Sequence, residues 1–107
     1  MGTATFHTHN GSRNKGLGGA TAHGRLVTSG AHTTTTTASN LTDGAAGGGS
    51  AITMAPGQFL FILADEAMRL QFGGTAATAT SGFLLPASLP MDIECDIGGT
   101  VSIIDVA

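Results

Sequence analysis

Apolar and polar positions divide this chain into two unlike halves. In the second half, Gln58 to Phe72 reads QFLFILADEAMRLQF. Phe59-Leu60-Phe61-Ile62-Leu63 is a continuous apolar run between Pro56-Gly57 and Asp65-Glu66, which predicts a strand covered on both faces. Beyond Glu66 the pattern changes to strict alternation, with Met68, Leu70 and Phe72 on one side and Arg69 and Gln71 on the other, as in a half-buried strand. Ala64 to Ala67 is too short for a crossover, so the two runs are expected to pair antiparallel as a hairpin. The same residues include good helix formers, but a helix here would lack an N-cap and would be cut short by Gly73-Gly74.

Around this pair the pattern predicts further short strands. Ala51 to Met54 forms one, ending at Pro56-Gly57, and Phe83-Leu84-Leu85 another, closed by Pro86. Met91 to Ile97 sets Ile93, Cys95 and Ile97 against Asp92, Glu94 and Asp96, and Gly98-Gly99 turns into Val101 to Val106. The alternation slips between Ile103 and Ile104, which predicts either a bulge or a strand buried on both faces. Residues 73–82, GGTAATATSG, are small throughout and suit a loop or an extended edge laid closely on another surface. Short strands broken by turn signals about every eight to twelve residues favour a β-sandwich or small barrel.

The first half is different. Thr3 to His9 and Ala31 to Ser39 are rich in β-branched Thr and favour extended backbone, and Arg25 to Thr28 is a short strand candidate. Asn10-Gly11, Lys15 to Gly24 and Asp43 to Ser50 are turn, loop and linker material. Leu, Ile, Val and Phe number five in residues 1–50 and eighteen in residues 51–107, so the second half is expected to nucleate the core. The chain of 107 residues is read as all-β: a small antiparallel β-sandwich or barrel over residues 51–107, preceded by a long extended Gly/Thr-rich N-terminal arm over residues 1–50. A body of about 60 residues is marginal alone, and the single Cys95 closes no internal disulfide, so contacts from partner chains are expected to order the arm and complete the fold.

Composition sharpens this picture. Glycine is abundant at 17 residues, and charged residues make up only 10%, a surface poorly solvated for a free monomer. Residues 1–42 carry Arg13, Lys15 and Arg25 with no acid, whereas residues 43–107 carry Arg69 against seven acids. A basic arm and an acidic body invite contact between neighbouring copies; the alternative is that three scattered cations carry no meaning. The residues expected to make such contacts are Phe6, His7, His9, Arg13, Lys15 and Arg25 on the arm, and Asp92, Glu94 and Asp96 on the body. There is no run of eighteen apolar residues and no basic segment leading into an apolar one at the start, so neither a membrane span nor a secretory signal is expected.

Candidate chemistry is sparse. His7 and His9 share one side of a strand, and His23 and His32 could join them, but neither zinc-type cysteines nor an HExxH pattern is present. Asp92, Glu94 and Asp96 recur at every second residue, about 7 Å apart on one strand face, where a shared environment gives no separation into acid and base. They read as a polar face meeting water or a basic arm. Cys95 lies on the apolar side and reads as a small hydrophobe. No GxSxG, SxxK, dinucleotide or phosphate-loop motif occurs, and four Lys/Arg without Trp or Tyr do not make a nucleic-acid surface. The expectation is a protein without catalysis, cofactor, metal or nucleic acid.

Arg69 to Ala107 resembles the C-terminal part of small structural proteins of tailed bacteriophages, through Phe72-Gly73, Ser81-Gly82, Leu85-Pro86-Ala87, Pro90, Ile93 and Val101-Ser102-Ile103-Ile104. The resemblance covers about a third of the chain. It implies an all-β virion component of the capsid cement or decoration type, assembled in the host cytoplasm, binding the major capsid protein or other virion subunits, and forming a homo-oligomer with a trimer favoured. A neck, tail or fibre-attachment component would fit the same resemblance. A carbohydrate- or host-surface-binding module is the reading from another class, and it calls for exposed aromatic rings, whereas the five Phe read mostly as core.

Overall fold

A computed structural model describes residues 2–10, 26–43 and 49–106, and these residues are all β, with no helix. Ten strands follow in order: β1 (Gly2–His9), β2 (Leu26–Thr34), β3 (Ser39–Asn40), β4 (Thr53–Met54), β5 (Phe59–Ala64), β6 (Met68–Gln71), β7 (Phe83–Leu85), β8 (Met91–Glu94), β9 (Gly99–Thr100) and β10 (Ser102–Asp105). One four-stranded sheet has the order β2-β1-β5-β8, a second the order β3-β10-β6-β7, and β4 and β9 form a two-stranded ribbon. Every pairing is antiparallel.

The two sheets enclose one core. Ala4, Phe6, Leu60, Ile62 and Ala64 come from the first sheet, and Met68, Leu70, Leu85 and Ile103 from the second, with Leu41, Ile52, Met54, Phe72, Cys95 and Val101 filling the ends. Alternation explains the selection: even-numbered positions of β1, β5 and β6 point inward, odd-numbered ones outward. Along one side the sheets are closed on each other. The Asp105 amide donates to the Thr35 carbonyl at 2.9 Å, and the Thr34 hydroxyl donates to the buried Asp105 carboxylate.

Two expectations are corrected here. β5 and β6 do not form a hairpin: β5 pairs with β1 and β8, and β6 with β10 and β7, so Asp65 to Ala67 is a corner carrying the chain from one sheet to the other. Asp65 fixes that corner to the start of β1, its Oδ1 accepting from the Thr3 amide at 2.8 Å and its own amide donating to the Thr3 carbonyl at 3.2 Å. Nor is β5 covered on both faces. Leu60, Ile62 and Ala64 are buried, while Phe59 and Phe61 are half-buried and Leu63 is exposed on the outer side.

The slip at Ile103-Ile104 resolves as a strand buried on both faces. Ile103 faces the core, and Ser102 and Ile104 alternate to the opposite side of β10, where Ser102 meets the small-residue loop 73–82. The Ala77 amide donates to Ser102 Oγ at 3.0 Å, and the Arg69 guanidinium donates to the Ala79 and Gly82 carbonyls at 3.0 and 3.1 Å, holding the loop down. Gly82 has φ +111°, and a Cβ there would stand 2.7 Å from the Leu70 carbonyl oxygen, so only glycine lets the loop lie this close.

The described parts of the first fifty residues are held from within the same chain. β1 lies between β2 and β5, and β3 lies on the edge of the second sheet beside β10. Backbone pairing with β5 and β10, together with burial of Ala4, Phe6 and Leu41, places them.

Candidate functional site

The outer side of the first sheet gathers most of the described candidate residues. On β1 the odd positions Thr3, Thr5, His7 and His9 face outward; on β5 they are Phe59, Phe61 and Leu63; on β8 Asp92 and Glu94 fall on the same side. Register sets His9 opposite Phe59 and His7 opposite Phe61. The facing rings stack: His9 on Phe59 at 5.3 Å between centroids with 14° between planes, and His7 on Phe61 at 5.1 Å with 22°. His7 and His9 lie 5.6 Å apart along β1. Four rings thus form a continuous layer two residues deep on two neighbouring strands, the cross-strand arrangement that stabilises a sheet face.

Asp92 reaches across β5 to the far ring. His9 Nε2 lies 2.9 Å from Asp92 Oδ1, and because an ionised carboxylate only accepts, Nε2 carries the hydrogen. The His9 side chain is 1% exposed although it is on the outer side, while Asp92 keeps 35% exposure. Beyond Leu63 the face ends in a shallow cavity of about 290 Å³ lined by Thr3, Thr5, Leu63, Ala64, Asp65 and Ser88.

The other predicted residues fall elsewhere. Phe6 is corrected from a contact residue to a core residue: it points inward and is 4% exposed, because β1 alternates and Phe6 stands opposite Ile62. Glu94 is exposed at the end of β8, and Asp96 lies past that strand, so the three acids do not share one strand as the spacing suggested. Arg13, Lys15 and Arg25, and His23, lie outside the described residues. His32 points into the sandwich from β2, opposite Ala4, so it cannot converge with His7 and His9. There it bridges the sheets, with Nδ1 2.9 Å from Thr42 Oγ1 and Nε2 2.9 Å from Ser39 Oγ, and burial lowers its pKa. Among the described residues no group of three or more His, Cys, Asp or Glu side chains is placed to hold a metal ion. Cys95 is buried with Sγ 2.9 Å from the Ile97 carbonyl; burial, together with the charge of Asp96, pushes its thiol up.

Phe59 and Phe61 are the functional candidates that sequence reading assigned to the core. A continuous apolar run hides which of its residues face out, and the signal that separates them is the polar odd-numbered face of β1 alongside. Taken against known proteins, the chain matches no family model, no curated protein and no solved structure.

Proposed function

We propose that this chain is a non-enzymatic structural protein of a virion that binds across capsid subunits and stabilises the shell, docking through the outer side of its first sheet. The observation that carries the reading is the ring layer in which His7, Phe59 and Phe61 are half-buried around the covered His9, continued by exposed Leu63 and flanked by Asp92 and Glu94: ring-rich and edged with charge. Protein interfaces favour rings at the centre and polar groups at the rim. The rest of the surface supports a life among other chains. Leu26, Val27, Phe83, Leu84, Leu89 and Ile97 are each 47% exposed or more on a chain with 10% charged residues. The resemblance of Arg69 to Ala107 to bacteriophage structural proteins points to the shell as the partner. A cement protein acts by touching several subunits at once, so that loss of one requires breaking contacts to all.

The test uses shells of the major capsid protein that accompanies this chain. Added full-length protein should cosediment with them and raise their resistance to heating, and Phe61→Lys should bind at least about tenfold more weakly, the scale of losing one central interface ring. Unchanged binding by Phe61→Lys, with unchanged circular dichroism, would rule out this face. The outward rings also favour a second reading, carbohydrate binding by stacking on Phe59 and Phe61. Specific signals on a glycan array, lost in Phe61→Lys, together with no binding to shells, would select it.

A further inference from the structure

Sheet edges expose backbone N–H and C=O groups that are ready to pair with another strand, and folded proteins normally blunt them with charge, proline or brevity. Among the described residues this molecule has six such edges: β2 and β8 in the first sheet, β3 and β7 in the second, and β4 and β9 in the ribbon. Five are blunted. β8 carries Asp92 and Glu94 and follows Pro90; β7 is three residues long and ends at Pro86; β3, β4 and β9 are two residues long each. β2 is not. It runs nine residues, Leu-Val-Thr-Ser-Gly-Ala-His-Thr-Thr, with neither charge-bearing carboxylate or amine nor proline, and its outer positions Ser29, Ala31 and Thr33 are exposed. Leu26 and Val27, at its start, are 58% and 47% exposed. Among the described residues, no strand pairs with its outer edge.

We propose that β2 pairs edge to edge with β2 of a second copy of this chain, antiparallel across a two-fold axis near Ser29 and Gly30. The two β2-β1-β5-β8 sheets then become one eight-stranded sheet.

Three observations select a second copy as the occupant. A two-fold axis sets identical edges antiparallel, the orientation of every strand pair among the described residues. The residues brought face to face, Leu26 to Thr33, carry no carboxylate or amine, and the inward, buried His32 is the one titratable group on β2, so self-pairing sets no like charges opposite each other. A head-to-tail ring would need a second edge of similar length, and the five others are short, charged or proline-bounded. At its far end β2 already closes on β10 through Thr34, Thr35 and Asp105, which leaves Leu26 to Thr33 as the pairing stretch.

An axis perpendicular to the sheet leaves both ring-lined outer faces on the same side. Where the docking reading above holds, the pair would offer its partner a doubled surface, but the dimer itself does not depend on that reading and is measured without any shell.

Sedimentation equilibrium on the free full-length chain tests the proposal. The expected mass at high micromolar concentration is twice 10.6 kDa. Ser29→Lys combined with Ala31→Lys adds charge at two exposed positions of the edge, and should weaken association by about tenfold or more while leaving circular dichroism unchanged. In the unmodified chain, amide exchange over Leu26 to Thr33 should slow as concentration rises, a readout that needs no variant. A monomer at all concentrations, a trimer, or a dimer whose β2 amides exchange at a concentration-independent rate would each overturn it.

Discussion

His32 holds the two sheets together from a position that a surface reading of the chain misses. Its imidazole lies between the hydroxyls of Thr42 and Ser39, and in the neutral form both ring nitrogens are satisfied, one donating and one accepting. Burial lowers its pKa below the ordinary histidine value. As pH falls the unfolded chain therefore takes up this proton first, so the contribution of His32 to stability is complete above about pH 6.5 and is lost below it, toward the folded-state value. Denaturation midpoints measured between about pH 8 and pH 5 should drop on the acid side, and His32→Gln should flatten the drop while costing roughly 1–3 kcal/mol at the alkaline end. A pH profile identical in the variant would show that His32 does not sense the proton. The sequence marks His32 only as one of four histidines in a Thr-rich stretch. Its inward direction follows from the pairing of β2 with β1, where it stands opposite Ala4, and that register is not written in its neighbours.

At the scale of elements, the strands were legible and their partners were not. β5, β6 and β7 begin or end at the turns that Pro56-Gly57, Asp65-Glu66 and Pro86 announce, β8 starts at the expected Met91 but ends early at Glu94, and β10 fills both faces as its broken alternation allowed. The hairpin from β5 to β6 failed for a definite reason. A hairpin and a sheet-to-sheet corner place the same even-numbered residues inside, so alternation cannot separate them. What decides is whether another strand claims each edge. β1 claims β5 and β10 claims β6; Thr3 to His9 reads as extended, but its place beside β5 does not show because it has a single large apolar side chain, Phe6, among small and polar ones. The loop 73–82 shows the same dependence on neighbours: its small residues suit close contact, and Arg69 supplies the attachment. Arg69→Ala removes two hydrogen bonds and should cost about 1–3 kcal/mol, with amide exchange accelerating over residues 77–82 before it does in β1 or β5. Uniform acceleration across the molecule would mean that Arg69 supports the fold as a whole and does not pin this loop.

For the whole molecule, the division into an apolar half and a polar half does not become a division between body and arm in the described residues. Ala4, Phe6 and Leu41 enter the same core as the residues of the second half, and Gly30 lies so close to the backbone of Asp43 that a Cβ there would come within 2.4 Å of its carbonyl oxygen. Counting large side chains underestimates such strands, because much of what holds β1 and β2 is their backbone ladders. The candidate site was legible in part for the same reason. His7, His9 and Asp92 were recognisable as polar residues at alternate positions, but the layer they make with Phe59 and Phe61 exists only because β1 lies against β5. The docking proposal and the edge-pairing proposal both rest on that placement. Site-resolved amide hydrogen exchange on the isolated full-length chain tests it most directly. Within Gly2–His9, the amides bonded to β5 should be protected to about the same degree as their partners in Phe59–Ala64. Exchange over Gly2–His9 at unstructured rates, beside a protected Phe59–Ala64, would contradict it.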